Sequence, residues 1–230
     1  MPVKRSAPPA APDPDDDDDT PTEAPARPSG TPTVKGGWGE GQKVLDSSSS
    51  WAQTFRPEEK SQIIKFLEDQ PYAAFRRHWV ERMNAERQKT NRAYTCLQSF
   101  GKTCPVCEVG DRATAVSAFN IAILDPSGDM THKSWDVGAR LFQVLKAYSN
   151  DPKIGPLTRG FFLVSKTGQR QSVQYNVAPI KASALEEDYD IPVPDEVALK
   201  AVPVYDASIV DEPKMKDMRD IADELNDDYS

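Results

Sequence analysis

All three cysteines of this 230-residue chain, Cys96, Cys104 and Cys107, lie in one short stretch, "TCLQSFGKTCPVC". An odd number excludes a fully paired disulfide set, and the close spacing limits the folds that can form around it. Zinc takes four N or S ligands in a tetrahedron, with one pair usually supplied by a tight knuckle. Cys104-Pro105-Val106-Cys107 has that form, because two intervening residues let both thiolates face one point. Cys96 adds a third sulfur. The fourth ligand must come from the two histidines. His132 lies in an acidic, Gly-containing turn, whereas His78 ends a predicted strand upstream. His78 is chosen, which makes the pattern H-x17-C-x7-C-x2-C and the expected cofactor one structural Zn2+.

Two other uses of these residues stand beside that reading. Cys96 can be a small buried hydrophobe next to a redox or chance CxxC. Zinc nucleobase deaminases instead combine H-x-E with P-C-x-x-C, and His78, Glu81 and a proline beside a CxxC approach that pattern. Glu81 is one residue too far from His78, and Pro105 lies inside the CxxC. Cys96 would also fill the position that catalytic water needs. A non-enzymatic role is therefore expected.

Charge divides the chain in three. Residues 51–182 hold 19 Lys+Arg against 12 Asp+Glu, whereas residues 1–50 hold 5 against 9 and residues 183–230 hold 4 against 15. A basic middle between acidic ends suits a body that binds a polyanion and carries tails of its ligand's sign. No apolar run is long enough to span a bilayer. The N-terminus leads into prolines and aspartates instead of an apolar signal core, which points to the cytosol, where thiols stay reduced.

Residues 1–33, rich in Pro, Ala, Thr and Asp, cannot bury enough apolar surface to offset backbone entropy, and a Gly- and Ser-rich stretch extends this arm to residue 50. From Trp51 the pattern becomes strand-like: "SQIIKFLE", "PYAAFRRHWVERM", "RAYTCL" and "SAFNIAILDP". "KSWDVGARLFQVLKAY" predicts a strand end and then a helix capped by Asp136, with Val137, Leu141, Val144, Leu145 and Tyr148 on one face. "RGFFLVSKTGQRQSVQYNVAP" predicts a hairpin around Lys166-Thr167-Gly168. The inventory is mainly β (α+β), best met by a small Greek-key barrel over 51–182 with a zinc subdomain at about 78–112. Residues 183–230 are expected as a disordered acidic linker and tail. Met215, Met218, Ile221, Ala222 and Leu225 place a short amphipathic helix at its end.

Strand alternation sets Phe75, Arg77 and Trp79 on one face of "YAAFRRHWV", with Tyr72, Arg76 and His78 on the other. Rings that stack on bases, alternating with cations that neutralise phosphate, suit single-stranded nucleic acid. Further candidates are Arg82, Arg87, Lys89, Arg92 and Tyr94 around the metal loop, then Lys102 and Arg112. Downstream lie Trp135, Arg140, Arg159, Lys166, Arg170 and Tyr175. Phe119 alternates with Ile121 and Ile123 and reads as core. Phe161 and Phe162 cannot both be buried on one face, so one of them is expected at the surface.

The order of these motifs resembles the helix-destabilising single-stranded DNA-binding proteins of T-even-like bacteriophages. The residues that carry the likeness are His78, Cys96, Cys104-Pro105-Val106-Cys107, Asn120-Ile121 with Asp125-Pro126, and Lys133 to Phe142. They span roughly residues 55–182. The resemblance implies an oligonucleotide-binding (OB) barrel with an inserted structural-zinc subdomain beside the DNA cleft. It also implies work in phage DNA replication, recombination and repair in the host cytoplasm. Trp135 falls where the family has a cleft aromatic, and Tyr175 on its later aromatic hairpin. The expected partners are single-stranded DNA, replication and recombination proteins at the acidic C-terminal tail, and further copies of the chain on DNA. Only Lys4-Arg5-Ser6 matches the family's N-terminal motif for cooperative binding. A zinc-knuckle regulatory or interaction module that binds duplex DNA is the alternative.

Overall fold

The computed structural model describes residues 52–83, 88–168 and 172–228. Two units divide the chain, Met1–Leu45 and Asp46–Ser230, and all elements below belong to the second. The expected N-terminal arm, including Lys4-Arg5-Ser6, lies outside the described residues, as do Arg87 and Arg170.

Seven strands form one antiparallel sheet: β1 (Gln62–Phe66), β2 (Ala73–Met83), β3 (Lys89–Thr95), β4 (Thr114–Leu124), β5 (Met130–Gly138), β6 (Phe161–Thr167) and β7 (Gln174–Ile180). The long, apolar β4 organises them. β1 pairs with its residues 121–124 and β2 with its residues 114–118, both along one edge, while β5 takes the other edge. β3 extends the sheet beyond β2, and β6 and β7 extend it beyond β1. The sheet is open. Among the described residues β3 and β7 are its ends, and the far edge of β5 pairs only through the isolated Thr54–Ser134 bridge. A closed barrel is therefore not what these strands make.

Helix α1 is a single turn (Pro105–Glu108), α2 spans Ala139–Asn150, α3 Ala182–Tyr189, α4 Glu196–Ala201 and α5 Met215–Asp228. The cap of α2 differs from the expected one. Gly138, in extended conformation, precedes the helix, and Val137 is the buried end of β5. Asp136 points its carboxylate at Arg77 instead, 2.8 Å away. Strand pairing with Val116 to Ala118 thus holds residues 136–138 in β geometry against their helical periodicity.

The main core is aromatic. Phe66 meets Phe119 and Phe162 edge-on, with centroids 5.6 and 5.1 Å apart, and stacks on Trp135 at 6.1 Å. Such pairs are worth about 0.5–1.5 kcal/mol each beyond their burial. Leu141 and Leu145 of α2 cover this cluster, and the Tyr148 hydroxyl donates to the Val177 carbonyl at 3.0 Å, tying α2 to β7. Phe119 is buried as expected. Phe161 and Phe162 are both buried, which corrects the expectation that one is exposed. They lie on opposite faces of β6, and both faces are covered: Phe162 by the aromatic core, Phe161 by Leu185 of α3 and Ile191.

That second cluster corrects the reading of the C-terminal region as a disordered acidic tail. Apolar residues spaced among its acids dock onto the body. Leu185 and Ile191 join Ile63 and Leu124, and Met218, Ile221 and Ala222 of α5 pack against Val80, Leu97 and Val106. The predicted stripe of α5 is this buried face. No described helix is long and apolar enough to cross a membrane.

Candidate metal centre and nucleic-acid interface

His78 projects from β2, in register with Tyr94 of β3. Directly after β3, Cys96 is anchored by its backbone N–H, which donates to the Arg76 carbonyl at 2.8 Å. A 3-10 turn over Leu97–Phe100 follows and ends at Gly101, whose φ of 71° is left-handed and favours glycine. Cys104 caps α1, with Pro105 at the first helical position, where its missing N–H costs nothing. One helical turn then brings Cys107 round to the side of Cys104. The Gln98 backbone N–H faces the Cys96 sulfur, as in a knuckle whose amides support a thiolate.

The four side chains converge. Their ligand atoms all lie within 4.8 Å of one another, and His78, Cys96 and Cys104 are buried. His78 Nε2 stands 3.4 Å from Cys104 Sγ and 3.5 Å from Cys107 Sγ, and Cys96 Sγ is 3.5 Å from Cys107 Sγ. Tetrahedral zinc with ordinary bond lengths places N and S about 3.5 Å apart and two sulfurs about 3.8 Å apart. The donor set fits that ion.

Asp111, which the sequence reading passed over, completes the arrangement. Its carboxylate accepts from His78 Nδ1 at 2.5 Å. With Nδ1–H so engaged, the Nε2 lone pair faces the sulfurs, the usual role of a carboxylate behind a metal-ligating histidine. Without a cation Cys96 and Cys107 hold their protons. Burial and the neighbouring sulfurs push Cys107 up to about 12, and burial raises Cys96. A divalent cation reverses that preference, since metal ligation requires the thiolate.

Glu81 does not serve this centre. It shares the face of Trp79 on β2, opposite to that of His78, and its carboxylate accepts from Lys89 at 3.1 Å. The donors of the cluster come from one His and three Cys, with no open carboxylate among them.

The surface candidates fall into separate groups. Phe75, Arg77 and Trp79 share one face of β2: Trp79 is 54% exposed, and the Arg77 guanidinium lies 5.0 Å from the Phe75 ring centroid. Tyr72 precedes the strand and does not join His78 as alternation suggests. Its hydroxyl instead lies 2.7 Å from Ser134 Oγ, beside the Asp136 that pairs with Arg77. Lys166 and Tyr175 sit opposite each other on the β6–β7 hairpin, with Tyr175 exposed. Arg112, Arg140 and Arg159 are exposed, and Arg159 donates to the Pro152 carbonyl at 3.1 Å.

Arg82, Arg92 and Tyr94 belong to the opposite face, beside the metal cluster and α5. Arg82 donates to the Tyr94 hydroxyl at 3.3 Å and pairs with Glu224 of α5. Lys102 pairs with Glu212. Acids of the C-terminal region thus occupy two of the cations selected from sequence. Trp135 is a correction. At 1% exposure it is core, stacked on Phe66 and met edge-on by Phe55 at 5.5 Å, so it is no platform for a base.

A groove of about 520 Å³ opens between β2, β4 and the turn after Cys96, lined by Phe75, Arg76, Gln98, Ser99, Val116 and Ser117. It links the Phe75 side of β2 to the metal module. Comparison with protein-family models, curated proteins and solved structures returned no match.

Proposed function

We propose that the chain is a sequence-independent single-stranded DNA-binding protein of phage DNA replication, recombination and repair, working in the host cytoplasm. The observation that carries this reading is the alternation of Phe75, Arg77 and Trp79 on an accessible face of β2. The exposed Trp79 ring and the half-buried Phe75 ring each offer about 1–3 kcal/mol of base stacking that any base can use, and the Arg77 guanidinium between them supplies charge for phosphate once it exchanges Asp136 for the ligand.

His78, Cys96, Cys104 and Cys107 hold one structural zinc ion, which crosslinks β2 to the loop after β3. Their own contribution is to fix the turn that borders the groove beside Phe75. The strand order supports a partly open OB barrel. β1 and β2 act as one broken strand along β4, β5 lies on its far side, and α2 precedes the β6–β7 hairpin. The acidic C-terminal region, paired to Arg82 and Lys102, competes with DNA for cations and offers a docking surface to replication and recombination proteins.

Salt titrations on matched single- and double-stranded oligonucleotides test the reading. Single strands should bind more tightly, with affinity falling as salt rises. A preference for duplex would replace it with the zinc-knuckle regulatory module.

A further inference from the structure

The sheet holds one fully buried carboxamide whose bonding is unusual for its place. Asn120 is the polar residue in the apolar run of β4 from Phe119 to Leu124, and it is 0% exposed. Its amide nitrogen donates to Glu68 Oε2 at 2.6 Å and to the Tyr205 carbonyl at 2.8 Å. Its oxygen accepts from the Tyr205 backbone N–H at 2.9 Å and meets His132 Nε2 at 2.9 Å. Two of these four partners come from a residue 85 positions away, on a segment with no strand or helix of its own. The Tyr205 ring stacks on the His132 imidazole, with centroids 4.3 Å apart and planes 29° from parallel, and the Tyr72 ring lies 6.2 Å away.

Tyr205 therefore offers this site a flat ring for His132 and an adjacent donor and acceptor for Asn120. The Watson–Crick edge and face of a nucleobase offer the same set. Each of the four bases carries a donor beside an acceptor on that edge, so an amide can engage any of them. Tyr205 is held by these contacts and by the Gln53 backbone N–H, which donates to its hydroxyl at 3.2 Å, while its neighbours Pro203, Val204 and Asp206 are exposed. Surface segments with few buried contacts open at low free energy. Once Tyr205 leaves, two bonds of a buried amide stand empty and an imidazole face is bare, which favours a replacement of the same shape.

We infer that Asn120, His132 and Tyr72 form a nucleobase subsite of the single-stranded DNA path, and that Tyr205 fills it in the free protein as a base mimic. The inference rests on the proposed DNA-binding function and adds to it a specific pocket on the β4–β5 part of the sheet. The position of His132 there also explains why it is absent from the metal cluster.

Tyr205→Ala in the full chain removes the ring stack on His132 and the hydroxyl contact with Gln53, leaving only the two backbone bonds to Asn120 to hold the segment. It tests the subsite without altering charge, which separates it from simple removal of acidic residues. Anisotropy titrations with labelled oligo(dT) and with an abasic strand of equal length supply the readout. The variant should bind oligo(dT) about 5- to 100-fold more tightly than wild type, as expected for one added stacked base, and the abasic strand unchanged. Adding His132→Leu should remove the gain. In the unaltered protein, oligo(dT) should abolish hydrogen-exchange protection at the Tyr205 amide, so the result does not depend on any variant folding. An equal gain on both strands, or no gain together with continued protection of Tyr205, overturns the subsite and leaves DNA binding standing. Absence of single-strand binding by both wild type and variant overturns the function itself.

Discussion

Ile221→Ala in α5 asks whether the C-terminal helix is an integral part of the metal module. Ile221 is 0% exposed, and its buried neighbours all belong to the cluster that contains Val80, Cys96, Leu97, Cys104 and Val106. Truncating a buried isoleucine to alanine removes its transfer energy and leaves a cavity, at a cost of about 2–5 kcal/mol. Because this cluster is separate from the aromatic core, the loss should fall on helix docking rather than on the sheet. A change of that size shifts the docking equilibrium by about 30-fold to 4,000-fold. Hydrogen exchange followed by mass spectrometry on the full, metal-loaded chain resolves the two regions. Amides of residues 215–228 should lose protection by that factor while those of β4 keep theirs. Equal losses in helix and sheet would show that α5 and the sheet unfold as one unit, and unchanged α5 protection would show that Ile221 contributes nothing to docking; either result refutes the reasoning.

Chelation with EDTA should lower the melting temperature sharply and free α5, since structural zinc contributes about 10–16 kcal/mol in small sites, as much as a whole domain's stability; an unchanged melt would sink the structural-metal reading. Asp111→Asn weakens the carboxylate behind His78 and should reduce zinc affinity about 10- to 100-fold, measured by competition with a chromophoric chelator. Trp79→Leu should remove much of the fluorescence quenching caused by oligonucleotide, whereas Trp135→Leu should lower stability and leave quenching in place; the opposite pattern would move the platform off β2. Burial holds the His132 pKa below its ordinary 6.5, so the stability it contributes is present above that pH and is lost as pH falls through the lowered value. Its ring faces Asn120 and Tyr205, with Glu68 reached through Asn120, and among the described residues no cation or anion contacts it directly. Acidification below pH 6.5 should therefore expose the Tyr205 amide to exchange, and protection independent of pH would exclude His132 as the cause.

The His/Cys cluster that could hold a metal was legible in the chain because its information is local. A CxxC on one helical turn, a third cysteine near it and only two histidines to choose from leave few arrangements, and backbone geometry then carries the sulfurs together. The strands and the α5 stripe were legible for the same reason, since side-chain period reports directly which face is buried. Other features depend on partners that no window of sequence contains. Asp136 looks like a helix cap until β4 holds it in a strand and Arg77 claims its carboxylate. Trp135 has the composition of a DNA platform, and only the packing of Phe55 and Phe66 around it makes it core. Asn120 left a faint signal as a lone amide in an apolar strand, but its meaning comes from Tyr205, a residue 85 positions away. The acidic C-terminal region reads as a solvated tail because charge dominates its composition. Its few apolar residues decide otherwise, because burying them against the metal module and the back of the sheet outweighs the entropy of ordering the segment. The chain alone thus determined which residues can ligate, stack and alternate. Which of them meet, and which stay open to a ligand, was decided by the long-range packing that closes one face and leaves another bare.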